Sequence, residues 1–134
     1  MNLTINGNDY ELNFGLKFCR EISKGRSKNA NGIDIRLGIE NATTALYTGD
    51  VLILPELIKA ATATLDKKPS DKDIEEYLDN HEDLGELCDD FLEQLKTQSA
   101  TKKKALQVWE SMKKAEKEEK EKEKVKKTNR AFTL

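Results

Sequence analysis

At 134 residues the chain holds one domain's worth of material, two at most, and 36% of it is charged against 37% hydrophobic. That is more charge and less apolar material than an average globular domain carries, so a modest core is expected and not a fully packed chain. The longest apolar run, "VLIL", is four residues and no charged-then-apolar leader is present, so neither a membrane span nor a signal peptide is expected.

The net charge of -2 conceals a division. Residues 1–101 carry 11 basic and 19 acidic side chains, whereas residues 102–134 carry 12 basic and 6 acidic. An acidic body with a basic tail points to an interaction tail or to self-association between oppositely charged parts. The two cysteines, Cys19 and Cys88, are far apart and belong to no C-x-x-C pair, which fits free thiols in a reducing cytoplasm.

In "MNLTINGNDYELNFG", Asn6-Gly7 is a two-residue hairpin signal, because both turn positions must accept positive φ. Centring the turn there sets Leu3 opposite Tyr10 and Met1 opposite Leu12. Leu3, Ile5, Tyr10, Leu12 and Phe14 then share one face. A lone hairpin is barely stable in water, so that face must pack on helices.

From Gly15 the period changes. Phe14, Phe18, Cys19 and Ile22 follow helical spacing, with Gly25 as the stop, and "GRSKNANG" reads as a polar loop. The next segment, "IDIRLGIENATTALYTGD", reads as a second helix with Ile35, Ile39, Ala42 and Leu46 on one side and Gly49 closing it. A third helix is expected from Leu54 to Leu65, with Pro55 in its first turn. Lacking a broad charged face, it should be the buried central helix. Ser70 is the expected N-cap of a fourth helix, with Asp73 as a shortened capping-box partner and Ile74, Tyr77 and Leu78 as its stripe.

The segment "DNHEDLGELCDD", Asp79 to Asp90, contains the only histidine, one cysteine and six carboxylates. On a helix, Leu84, Leu87, Cys88, Phe91, Leu92 and Leu95 form a core-facing stripe, while Glu82, Asp83, Glu86, Asp89, Asp90 and Glu93 lie mostly on the other side. Thiol and acids then diverge. Zinc needs about four convergent ligands, and calcium needs a loop of alternating oxygens that this segment lacks. His81 reads as a surface or helix-junction residue, Cys88 as a small core hydrophobe. No metal, cofactor or catalytic residue is assigned. Phosphate-binding glycine loops and a nucleophile-elbow motif are also missing from the sequence.

In the basic tail, Ala105, Val108, Trp109, Met112 and Ala115 fall at helical spacing with Leu106 at the edge. Trp109 has two readings, docking back on the domain or anchoring a partner. Phe132 and Leu134 have no evident core. Leu106, Trp109, Met112 and Phe132 are the candidate partner-binding residues. Glu interrupts Lys repeatedly between Glu116 and Lys124, which suits a solvated helix better than a phosphate-binding stripe. A small nucleic-acid-associated or regulatory protein is therefore the weaker alternative.

The order of segments now matters. "LTINGNDYELNFGLKFCREI", then "GDVLILPELIKAATATLDKKPSDKDIEEYLDN", then an acidic amphipathic helix leading into "TKKK", resembles the tail assembly chaperones of long-tailed bacteriophages of Gram-positive bacteria. The resemblance covers about residues 2–105. It implies a non-enzymatic protein that binds the tape-measure protein, helps bring tail-tube subunits to it in the host cytoplasm, and is absent from the finished virion. The expected architecture is α+β, mainly α-helical. An N-terminal β-hairpin packs on about five helices in an acidic domain spanning 1–100, followed by a charged helical tail over 101–134.

Overall fold

Asn6 and Gly7 both adopt positive φ, 49° and 77°, and fold β1 (Asn2–Ile5) onto β2 (Asn8–Glu11) as an antiparallel pair. Leu3 faces Tyr10, and the Leu12 N–H donates to the Met1 carbonyl at 2.9 Å, the register expected from the turn. Leu3, Ile5, Tyr10, Leu12 and Phe14 are all buried. The structure is a computed structural model; it describes the backbone of residues 1–132 and the side chains of residues 1–127.

Helix α1 (Leu16–Ser23) buries Phe18 and Ile22. The segment after it departs from the expected loop. Asn31 and Gly32 take φ of 53° and 81°, the same turn chemistry as the first hairpin, and pair β3 (Ser27–Ala30) with β4 (Ile33–Arg36). Ile35 accordingly belongs to a strand and is exposed, not part of the second helix's buried side. Its spacing to Ile39 fits a helix, but an Asn-Gly turn with alternating residues on both sides favours the hairpin locally.

Helix α2 (Gly38–Thr48) keeps the rest of the expected stripe, burying Ile39, Ala42 and Leu46, and Gly49 caps it. Helix α3 (Ile53–Ala61) buries Ile53, Leu54, Leu57, Ile58, Ala60 and Ala61. It stops before the expected Leu65. Buried Thr62 turns its hydroxyl back to the Ile58 carbonyl at 2.8 Å, and the Asn13 N–H takes the Ala61 carbonyl at 2.8 Å. A helix end whose carbonyls find outside donors has no need to continue.

Helix α4 (Asp71–Asp79) is capped as expected, with Ser70 Oγ accepting from the Asp73 N–H at 3.1 Å. The Asp73 carboxylate accepts instead from Asn6 Nδ2 at 3.3 Å, tying α4 to the first turn of the chain. An aspartate is one methylene short of the glutamate that closes a capping box. Helix α5 (Leu84–Thr97) is capped by Asp83, which accepts from the Glu86 N–H at 3.1 Å. Its Leu87, Cys88, Phe91, Leu92 and Leu95 are buried. Phe91 and Phe18 both meet Phe14 edge-on, at 6.0 and 5.0 Å between ring centroids, which joins α1, α5 and the hairpin in one core.

Helix α6 (Lys102–Phe132) follows a tight turn in which buried Thr101 donates to the Leu95 carbonyl at 2.7 Å. It packs along α2 and α5, and Ala105 is part of the core. The molecule is α+β and mainly helical. Six helices and two separate strand pairs occur among the described residues.

Candidate interaction surface

The carboxylate-rich segment resolves into two faces. Cys88 sits in the core, where burial raises its thiol pKa and Asp89 and Asp50 push the same way. Burial also raises the Cys19 thiol, with Lys104 opposing. Thiols shifted upward are poor nucleophiles at neutral pH. Glu82, Asp83, Glu86, Asp89, Asp90 and Glu93 are exposed. His81 caps locally, its Nδ1 accepting from the Asp83 N–H at 3.1 Å while its ring meets the edge of Tyr77. Among the described residues, no three or more His, Cys, Asp or Glu side chains are grouped to hold a metal ion.

Of the candidate residues of the tail, Leu106, Trp109 and Met112 lie on the first turns of α6 and Phe132 at its end. Trp109 is half-buried against the core cluster, and Leu106 and Met112 are half-buried as well. The amines of Lys96 and Lys113 stand 4.1 and 4.3 Å from the centroid of the Trp109 ring, each a cation–π contact. The side chain of Phe132 lies outside the described residues. Two contacts align α6 with α2. Lys104 pairs with Glu40 at 3.4 Å near the start of α2, and the Glu116 carboxylate acts on the Tyr47 hydroxyl near its end. Burial and then that carboxylate raise the Tyr47 pKa. From Lys117 to Lys127 every side chain is exposed.

A second feature was not selected from the sequence. The β3–β4 ribbon is held at its base and exposed beyond it. At the base, the Leu37 N–H donates to the Arg26 carbonyl at 2.7 Å, and Lys104 Nζ reaches the Arg36 carbonyl at 3.4 Å. Arg26 itself grips both Glu56 oxygens at 2.7 and 2.8 Å and donates to the Ile22 carbonyl at 3.2 Å. Beyond it, Ile33 and Ile35 are 66% and 43% exposed. Both project to one face, together with Lys28 and Ala30 across the pair; Asn29 and Asp34 hydrogen-bond on the other. The ribbon is amphipathic, with its aliphatic face turned to solvent. The signal that would have found it is Asn31-Gly32, the same dipeptide that located the first hairpin.

The distinctive groups of this small, mainly helical α+β protein are thus surface groups: an amphipathic ribbon and a charged helical arm. Among the described residues, no helix is long and apolar enough to cross a membrane. A family model described as phage tail assembly chaperone protein, TAC, matches residues 2–110. The match covers most of the chain, and the protein belongs to that family, whose role is structural assembly and not catalysis. No curated protein and no solved structure matches the chain.

Proposed function

We propose that the protein binds the tape-measure protein and helps recruit tail-tube subunits during tail morphogenesis, acting in the host-cell cytoplasm without catalysis and leaving no copy in the mature virion. The observation that carries this reading is the family match over residues 2–110. The exposed Ile33 and Ile35 give it a physical basis. A long helical client exposes apolar stripes until the tube covers them, and such stripes aggregate unless shielded. A ribbon face and a helix edge supply short apolar contacts, and several copies along one client add avidity.

In this reading residues 1–100 form the chaperone body and residues 101–134 an accessory arm. The client contacts are Leu106, Trp109, Met112 and Phe132, joined by Ile33 and Ile35. The test is co-expression of the intact protein with the tape-measure protein of the same phage, followed by affinity capture. Co-purification of the pair is the expected result. Capture of the chaperone alone, with both proteins soluble, would overturn the reading.

A further inference from the structure

The turn of the β3–β4 ribbon fixes which backbone groups each of its edges presents. Asn31-Gly32 sets Ala30 opposite Ile33 and Lys28 opposite Ile35, and the Leu37 N–H closing on the Arg26 carbonyl continues the series of bonded positions. In an antiparallel pair these alternate with positions whose N–H and C=O point away from the partner strand. The outward positions are therefore Ser27 and Asn29 on β3, and Asp34 and Arg36 on β4. Lys104 Nζ takes the Arg36 carbonyl at 3.4 Å. The Asp34 N–H, the Asp34 carbonyl and the Arg36 N–H are left as a row along β4, whose four residues are all exposed.

Strand edges are ordinarily blunted by a charge, a proline, a bulge or a covering element. On the aliphatic face, β3 offers Lys28 and Ala30, a charge and a methyl, whereas β4 offers Ile33 and Ile35, and neither proline nor bulge interrupts the pair. Two isoleucines two residues apart on a strand are roughly 7 Å apart, the repeat of another strand. A helix laid on this face would cover them and leave the backbone row without partners; a strand beside β4 meets both. Charge decides the composition of that strand. Residues 24–36 carry four basic side chains and one acid, while the rest of residues 1–101 carry seven and eighteen. The one acid, Asp34, is engaged by Asn29 Nδ2 at 3.1 Å. Lys28 and Arg36 stand on opposite faces of the ribbon, and neither pairs with a carboxylate among the described residues.

We propose that the edge of β4 is a strand-docking site. An extended stretch of the client, aliphatic at alternate positions and bearing carboxylates, pairs with Asp34 and Arg36 as a third strand. Its aliphatic side chains lie beside Ile33 and Ile35, and a carboxylate meets Arg36. This rests on the ribbon's part in client binding proposed above, and it names the conformation and charge of the segment bound.

Proline substitutions in the intact protein, read by capture of co-expressed tape-measure protein, test the site. Asp34→Pro deletes an outward N–H and spares the β3–β4 ladder, as proline on an edge strand can. Loss of that bond, with the ring in the way of the incoming strand, should lower capture about tenfold or more. Asp34→Ser, which keeps the N–H, and Ser27→Pro, which blocks the other edge, should capture as the parent does. Arg36→Glu should weaken capture and Arg36→Lys should not. Circular dichroism and the urea midpoint should match the parent in every variant. No capture by the parent would remove the client reading and this site with it. Capture by the parent that Asp34→Pro leaves undiminished, or that Asp34→Ser or Ser27→Pro reduces as much, would overturn the strand-docking site alone. Undiminished capture by Arg36→Glu would overturn the acidic character of the segment.

Discussion

The carbonyl oxygen of Ile22 lies 2.7 Å from the place a Cβ on Gly38 would occupy, with Ser23 Oγ at 2.5 Å. The end of α1 therefore rests directly on the backbone of the first turn of α2, and the ribbon leaves and returns at this junction. Alanine is normally the better helix residue by about 1 kcal/mol, but here its methyl would strike main chain that cannot swing aside. Gly38→Ala should destabilise the protein by about 1 to 3 kcal/mol, as overpacking does. Urea unfolding monitored by circular dichroism measures it; a gain in midpoint would show that the two helices can separate freely.

Ile33 and Ile35 contribute little to the body, since the ribbon's aliphatic face is turned outward. The double change Ile33→Ser and Ile35→Ser should leave stability within about 0.5 kcal/mol of the parent. Retention of tape-measure protein in the capture experiment should fall about tenfold or more, the effect of truncating central contact residues. Undiminished capture by a folded variant would remove the ribbon from the client surface.

Thr101 closes the turn from α5 to α6 with a buried hydroxyl bonded to the Leu95 carbonyl at 2.7 Å. Thr101→Val preserves shape but strands that carbonyl, at a cost of about 1 to 2 kcal/mol. Equilibrium denaturation reports the loss, and an unchanged midpoint would mean the bond adds nothing net.

Glu21 lies between Lys24 and Lys17, each 2.9 Å from its carboxylate, and hydrogen bonds from these two amines, Lys24 first, hold its pKa down to about 2. A folded pKa below the unfolded value makes this contribution to stability present above the ordinary carboxylate range. It is lost as pH falls through about 2. A carboxyl-carbon NMR titration should place the Glu21 midpoint near 2 in the parent and clearly higher in Lys24→Ala. Equal midpoints in the two proteins would refute the pairing.

Burial raises both thiols, Cys88 within the core and Cys19 at its edge. Alkylation at neutral pH followed by mass spectrometry should leave Cys88 unmodified in the folded protein and modify it quickly in denaturant. Rapid native labelling of Cys88 would place it outside the core.

Much of this fold was legible in short-range signals. Asn6-Gly7 set the register of β1 and β2, Ser70 announced α4, and the spacing from Leu84 to Leu95 separated the buried side of α5 from its carboxylates. These signals act within one turn or one helix, where steric and hydrogen-bonding preferences are decided by near neighbours. Ile35 shows where such reading stops. Its spacing to Ile39 fits a helix and its distance from Asn31-Gly32 fits a strand; the assignment went to the strand, with Arg26 bridging to Glu56 at the base of the ribbon and Ile35 left in solvent. Asn13 ended α3 early by the same kind of long-range bond, its N–H taking the Ala61 carbonyl.

Sequence alone determined the charge division, the first hairpin, the amphipathic helices and the resemblance to tail assembly chaperones, because composition and periodicity are properties of the chain itself. Only the tertiary structure decided which apolar residues remain uncovered, how Trp109 divides its surface between core and solvent, and that α6 carries its basic tip past the body. Exposure depends on which elements happen to cover one another, and that outcome is set by packing between residues far apart in the chain.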